Sequence, residues 1–138
     1  MEPRRLRGYT SHGGTRRAES LTSLEQARCI AALAREKLAT DVVVLDMRPV
    51  CTYTDFFVVC TGQNVRQTKA IFDQVRERMK GDFRLVPRST DGEREARWIV
   101  ADYLDVVLHV FTPEAREFYA LDDLWGDVPS VDVEAVVA

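Results

Sequence analysis

Residues 97–111 decide the fold, and they read RWIVADYLDVVLHVF. Two apolar, β-branched runs are separated by a short polar interruption, which is the pattern of a β-hairpin. We predict strands over 97–102 and 105–111 with a turn at Tyr103-Leu104. The predicted register places three pairs of residues opposite each other: Asp102 and Asp105, Val100 and Val107, Trp98 and His109.

The hairpin has two faces, because the side chains of a strand point alternately to opposite sides of a sheet. One face holds only aliphatic residues: Ile99, Ala101, Val106, Leu108 and Val110. The other mixes apolar residues with one acid and one imidazole: Trp98, Val100, Asp102, Val107, His109 and Phe111. We predict that the aliphatic face is core. The mixed face is covered either by the chain's own helices or by a protein partner.

Helical and strand patterns alternate around this hairpin. The predicted elements are a helix over 24–39, buried strands over 42–47 and 56–61, a helix over 65–80, a short strand over 84–86, the hairpin, and a helix over 113–126. Capping patterns at Ser23 with Gln26 and at Asn64 begin the first two helices, and Gly81 is the expected C-cap of the second. We predict an α/β (α+β) fold with the order α-β-β-α-β-β-β-α and a mixed sheet flanked by helices.

The 138 residues fit a single domain between two tails. Residues 1–22 carry five arginines against two acids, with glycines that break any periodicity, which predicts a disordered basic tail. The predicted domain covers residues 23–126, and residues 127–138 are predicted to be a loose acidic tail. The Arg-rich start also resembles a mitochondrial transit peptide, but it lacks amphipathic apolar residues, so we expect a cytoplasmic protein.

Composition and residue spacing exclude several classes of function. No apolar run approaches the roughly 20 residues of a membrane span. The formal net charge of −3 argues against a general nucleic-acid coat. His12 and His109 are isolated, and Cys29, Cys51 and Cys60 lack CxxC spacing, so we predict neither a metal site nor a disulfide framework. We expect no cofactor and no sequence-specific contact with nucleic acid.

Two rival interpretations remain open from the residues alone. Gly62 follows a strand and precedes a helix, as phosphate loops do, and scattered acids would then make a nucleotidyltransferase-like enzyme. Yet Asp102 and Asp105 are three residues apart and cannot share one strand face, as paired metal-holding carboxylates would. The second rival is an RNA-binding module that uses the tail arginines and Trp98. We favour a protein that works by binding, not by catalysis.

Several stretches resemble motifs of the Iojap/RsfS family of ribosomal silencing factors, in the family's order. They are DVVVLD at 41–46, TDFFVVCTG at 54–62, RQTKAI at 66–71, RWIVADY at 97–103, DVVLHVF at 105–111, REFY at 116–119 and LWGD at 124–127. The likeness covers about residues 24–130. The family usually has Gly at the position of Leu104, so the leucine predicts a wider hairpin turn. The Arg-rich tail is not part of the family pattern.

This resemblance implies a nucleotidyltransferase-like fold without the catalytic carboxylates, and a protein that is not an enzyme. It implies binding to the large ribosomal subunit through its ribosomal protein number fourteen, which sterically blocks joining of the small subunit and represses translation. Free family members are often homodimers. With Trp98 as the expected anchor, the predicted partner-binding residues are Trp98, Val100, Asp102, Val107, His109, Phe111 and Lys69.

Overall fold

A computed structural model describes residues 21–124 and 128–131. Most of the predicted basic tail, and much of the predicted acidic end, lie outside these residues. In chain order the elements are α1 (Ser23–Glu36), β1 (Thr40–Asp46), β2 (Phe56–Thr61), α2 (Val65–Phe83), β3 (Ser89–Asp91), β4 (Trp98–Asp102), β5 (Val106–Phe111), α3 (Pro113–Tyr119), α4 (Leu121–Leu124) and β6 (Ser130–Val131).

The strands of the described chain form one mixed sheet with the order β3-β4-β5-β2-β1-β6. At its centre β2 and β5 pair in parallel, from Phe56 opposite Val106 to Thr61 opposite Phe111. The other neighbours are antiparallel. Every residue of β2 and β5 is buried, because both faces of the sheet are covered here. The predicted mixed sheet flanked by helices is confirmed.

The two long helices lie on one side of the sheet, which we call the first face. There α1 packs on β1 and β2, and α2 packs on β4 and β5. The aliphatic face predicted for the hairpin joins this core, as expected: Ile99, Ala101, Val106, Leu108 and Val110. On the opposite side, the second face, a smaller cluster is covered by Ala115 of α3, Leu121 of α4 and Val128. The predicted separation of the hairpin into two faces is therefore confirmed.

The hairpin turn lies one residue later than predicted. The Tyr103 N–H donates to the Val106 carbonyl at 2.8 Å, so Leu104 and Asp105 form a two-residue turn. The observed strand pairs are Trp98 with Phe111, Val100 with His109, and Asp102 with Val107. The predicted register is wrong by two residues, and an even shift leaves each side chain on its predicted face.

Leu104 keeps this turn tight although it is not glycine, so the expected wider turn is also wrong. Its φ is 80°, a value that favours glycine. The Asp102 carboxylate accepts a hydrogen bond from the Leu104 N–H at 2.8 Å, which holds the backbone in this conformation. An acid at the end of β4 thus compensates for the missing glycine.

Side-chain caps begin both long helices, although one begins a residue earlier than predicted. The Thr22 hydroxyl accepts from the Glu25 N–H at 3.0 Å, and the Glu25 carboxylate accepts from the Thr22 N–H at 2.9 Å. The capping box predicted at Ser23 and Gln26 is wrong, because Gln26 faces the interior and is buried. The cap predicted at Asn64 is confirmed, since its side chain accepts from the Gln67 N–H at 2.9 Å.

The predicted C-cap at Gly81 is wrong, because α2 continues to Phe83, which packs against the core. Arg84 ends the helix with a left-handed φ of 59°, and its N–H donates to the Lys80 carbonyl at 2.9 Å. The strand predicted over 84–86 is also wrong, because the helix extends to Phe83 and Arg84 is its C-cap. The edge strand β3 comes later, within the predicted loop, where it pairs with β4.

The end of the described chain differs from the prediction in two ways. The helix expected over 113–126 is interrupted at Ala120, whose φ is 47°. In addition, Ser130 and Val131 pair with β1 and Val128 is buried, so residues 128–131 are not the loose end that we predicted.

Gly92, in the turn between β3 and β4, stands where no other residue fits. Its φ is +81°, and an added Cβ would lie 2.0 Å from the Trp98 carbonyl oxygen. Gly81, by contrast, lies within α2 and has nothing within 4 Å of an added Cβ. These two glycines give a matched pair for testing the backbone.

We expect Gly92→Ala to lower the free energy of unfolding by at least about 2 kcal/mol, because the turn must shift and the alanine must keep a left-handed φ. Gly81→Ala should raise it by about 0.5–1 kcal/mol, since alanine is the better helix former. Urea denaturation of both variants measures the two effects. A destabilised Gly81→Ala would show that this glycine caps the helix after all.

Candidate partner-binding site

The candidate site is the part of the second face that β4 forms, which we call the β4 end of the second face. There the chain covers its own sheet only partly. Three of the predicted site residues are half-buried there: Trp98, Val100 and Asp102. Three others on β5 are buried: Val107, His109 and Phe111. A partner can therefore reach the β4 residues, whereas the β5 residues support them from beneath and have little surface of their own in the free chain.

Trp98 is held in place by neighbouring rings and by one hydrogen bond. Its indole stacks on Phe111, with ring centroids 5.1 Å apart and planes 24° apart, and contacts Tyr119 at 4.6 Å. The indole Nε1 donates to His109 Nδ1 at 3.1 Å. A side chain fixed in this way loses little conformational entropy on binding, which suits an anchor.

His109 works as a support for Trp98, diagonal to it and not directly opposite as predicted. Its Nδ1 accepts a hydrogen bond from the indole N–H, so the neutral ring carries its own proton on Nε2. The ring also lies 4.6 Å from Phe57. Burial lowers the pKa of His109 to about 4. A proton on Nδ1 would face the indole N–H and break their hydrogen bond.

Asp102 and Lys69 lie apart from the aromatic part of the predicted site. Asp102 holds the hairpin turn, and its second carboxylate oxygen lies 3.3 Å from the Arg88 side chain. Lys69 is exposed on α2, which covers the first face. The structure therefore does not bring Lys69 together with Trp98.

Two exposed apolar residues beside the site were missed by the sequence analysis. Val50 and Tyr53 lie in the loop between β1 and β2, and their exposed fractions are 57% and 63%. A hydrogen bond with Cys51, together with burial and the charges of Cys51 and Asp102, raises the pKa of Tyr53. Because Cys51 packs on the second-face cluster, the loop lies at the border of that face. A loop without periodicity gave no signal for this.

The strand-to-helix turn at Gly62 is closed by its own side chains. The Gln63 N–H donates to the Gln67 side chain at 2.7 Å, and the Gln67 N–H donates to Asn64 at 2.9 Å. Amides that would cradle a phosphate are thus engaged. An added Cβ on Gly62 would lie 3.0 Å from Thr68, so this glycine serves the close approach of helix and strand.

The acidic side chains near the strand ends are dispersed. Asp46 pairs with Arg48 at 2.7 Å, and this hydrogen-bonded partner lowers the pKa of Asp46. Within residues 21–124 and 128–131, three or more metal-ligating side chains do not gather anywhere. None of the helices described here is long and apolar enough to span a membrane.

Comparison with known proteins identifies relatives over most of the chain. A family model described as "Ribosomal silencing factor during starvation", RsfS, matches residues 20–138. Ribosomal silencing factor RsfS of Bacillus subtilis is 36% identical over 104 residues, which is 75% of this chain and 87% of that protein. The chloroplastic protein Iojap of Zea mays is 31% identical over 110 residues, or 80% of this chain and 47% of that protein.

A solved structure shares the fold as well. The crystal structure of a protein from Bacillus halodurans superposes with a TM-score of 0.65 at 32% sequence identity. The match covers 79% of this chain and 96% of that chain. The resemblance in the strand and hairpin motifs is therefore accompanied by a shared architecture.

We expect the contribution of His109 to stability to be lost in mild acid. Its folded-state pKa of about 4 lies below the ordinary value of about 6.5, so the unfolded chain binds the proton more readily. The stabilisation is complete above about pH 6.5 and falls by about 2 kcal/mol between pH 7.5 and pH 5.

Urea denaturation at the two pH values, on the protein and on His109→Asn, measures this loss. Asparagine retains an acceptor for the indole but does not titrate, so the variant should lack the decline in this window. An equal decline in both proteins would contradict the assignment to His109.

Proposed function

Because the chain belongs to the RsfS family of ribosomal silencing factors, we propose that it binds the large ribosomal subunit and sterically blocks joining of the small subunit. It would thereby repress translation, in the cytoplasm. The observation that carries the proposal is the incompletely covered β4 end of the second face. Half-buried Trp98 and Val100 lie there, and exposed Val50 and Tyr53 lie in the loop near Asp102, at the other end of β4 from Trp98.

This surface has the composition of a protein–protein contact. Aromatic residues are enriched at such interfaces, and a few of them provide most of the binding energy. Trp98 is the best candidate anchor, because its indole is large and already fixed by His109 and Phe111. The docking partner we propose is ribosomal protein number fourteen of the large subunit, as the family resemblance implies.

The proposed mechanism requires that the domain bind the large subunit and occupy space there, and it requires no catalytic step. A rigidly docked domain excludes the small subunit from the space that it occupies, so the affinity for the large subunit determines the effect. The chain has the rigidity that this requires, since β4 is held between β3 and β5 and the anchor is locked by its neighbours. The engaged amides around Gly62 favour this mechanism over nucleotidyl transfer.

The free protein would have the same apolar surface in water. Association of two copies through the second face would cover Trp98 and Val100 until the ribosome competes for them. A homodimer in the free state is therefore part of the proposal, and it would dissociate when the large subunit binds.

We expect Trp98→Ala to weaken binding to purified large subunits by on the order of 2–4 kcal/mol. Because the indole is half-buried and stacks on Phe111, the same change should also lower the free energy of unfolding by about 2 kcal/mol. Co-sedimentation in sucrose gradients and urea denaturation measure the two effects. Normal affinity in a folded variant would show that Trp98 is not part of the interface.

A charge on the surface of β4 should separate binding from folding more cleanly. Val100→Lys places an ammonium in the proposed interface, where it can still reach Asp91, its cross-strand neighbour on β3. We expect binding to large subunits to be lost while the thermal midpoint changes little. The control is Val86→Lys, at a valine that is 57% exposed and lies outside β4, and it should bind normally. Equal binding by both variants would contradict the proposed face.

A further inference from the structure

A groove of about 1000 Å³ opens next to Trp98 at one end of the sheet. Its walls come from the start of α2, the turn between β3 and β4, and helix α3. Three aromatic residues line it: Trp98, Phe118 and Tyr119. The groove adjoins the anchor of the proposed interface, so a partner docked on β4 would also meet it.

The aromatic wall is exposed but firmly supported. Phe118 is 79% exposed and Tyr119 is 50% exposed. They meet edge to face at 5.0 Å, and Tyr119 lies 4.6 Å from Trp98. Helix α3 is tied to the sheet by Arg116, whose guanidinium donates to the Thr61 hydroxyl at 2.8 Å. The helix that carries the two rings is therefore held against the sheet.

Three charged residues complete the groove. The carboxylates of Glu95 and Glu114 both line it, and both residues are exposed. Neither is in an ion pair within the part of the chain that the structure describes. Arg97 also lines the groove and is likewise unpaired there. The two carboxylates outnumber the one guanidinium, so the groove carries net negative charge beside its aromatic faces.

We infer that this groove receives a lysine or arginine side chain of the protein partner, an inference that rests on the proposed function. Aromatic faces attract cations through their negative electrostatic surface, and adjacent carboxylates strengthen that attraction. An apolar occupant would strip water from Glu95 and Glu114 without compensating them. An acidic occupant would be repelled by the same two groups. A basic side chain satisfies both the rings and the carboxylates.

The test uses charge changes of opposite expected sign, measured as affinity for purified large ribosomal subunits. The double variant Glu95→Gln with Glu114→Gln should bind about tenfold more weakly. Arg97→Gln removes the competing cation and should bind a few-fold more tightly, on the order of two- to fivefold. Glu77→Gln, an exposed carboxylate of α2 outside the groove, is the matched control and should bind normally. Thermal midpoints establish that each variant is folded.

A second variant separates a cation from an ordinary apolar contact. Phe118→Leu keeps an apolar side chain but removes the ring face, so it should weaken binding several-fold if a cation lies against the ring. Unchanged affinity in this variant and in the double glutamine variant would overturn the inference while the proposed function survives. Tighter binding without the carboxylates would indicate an acidic or an apolar occupant and would also overturn the inference. Failure of the unaltered protein to bind large subunits would instead overturn the proposed function.

Discussion

The parallel pairing of β2 with β5 is the constraint on which the rest of the structure depends. All residues of both strands are buried, so the sheet must be covered on two sides at its centre. The long helices α1 and α2 cover the first face of the central strands. The second face is left to two short helices, α3 and α4, and to neighbouring loops. Such short elements do not reach across the whole sheet, and β4 remains half-covered.

This incomplete cover explains why the candidate site lies where it does. The buried residues of the second face, His109 and Phe111, form a rigid base under a tryptophan that the helices do not enclose. Because the chain belongs to the RsfS family, we propose that this surface binds the large ribosomal subunit. The same surface adjoins the aromatic groove, so one docking event would engage an apolar anchor and a cation pocket together.

Sequence patterns predicted the layers of the fold better than its turns. Alternation along the hairpin assigned each side chain to the observed face, and that assignment survived a register error because the error was even. The turn itself was misplaced, since nothing local indicates that Leu104 would accept a φ of 80° with help from Asp102. Gly81 was mistaken for a cap because the packing of Phe83, a tertiary contact, extends the helix. Trp98 was identified from the strand pattern, whereas Val50 and Tyr53 lie in a loop whose position only the folded chain reveals.

Hydroxyl-radical footprinting of the protein bound to large ribosomal subunits tests the central claim, that the β4 end of the second face is the docking surface. The claim predicts that labelling of Trp98 and Tyr53 falls sharply on binding. Labelling of Leu38, which is 74% exposed after α1, should remain as in the free protein. Protection of Leu38 and the α2 surface, with Trp98 and Tyr53 labelled as before, would contradict the account.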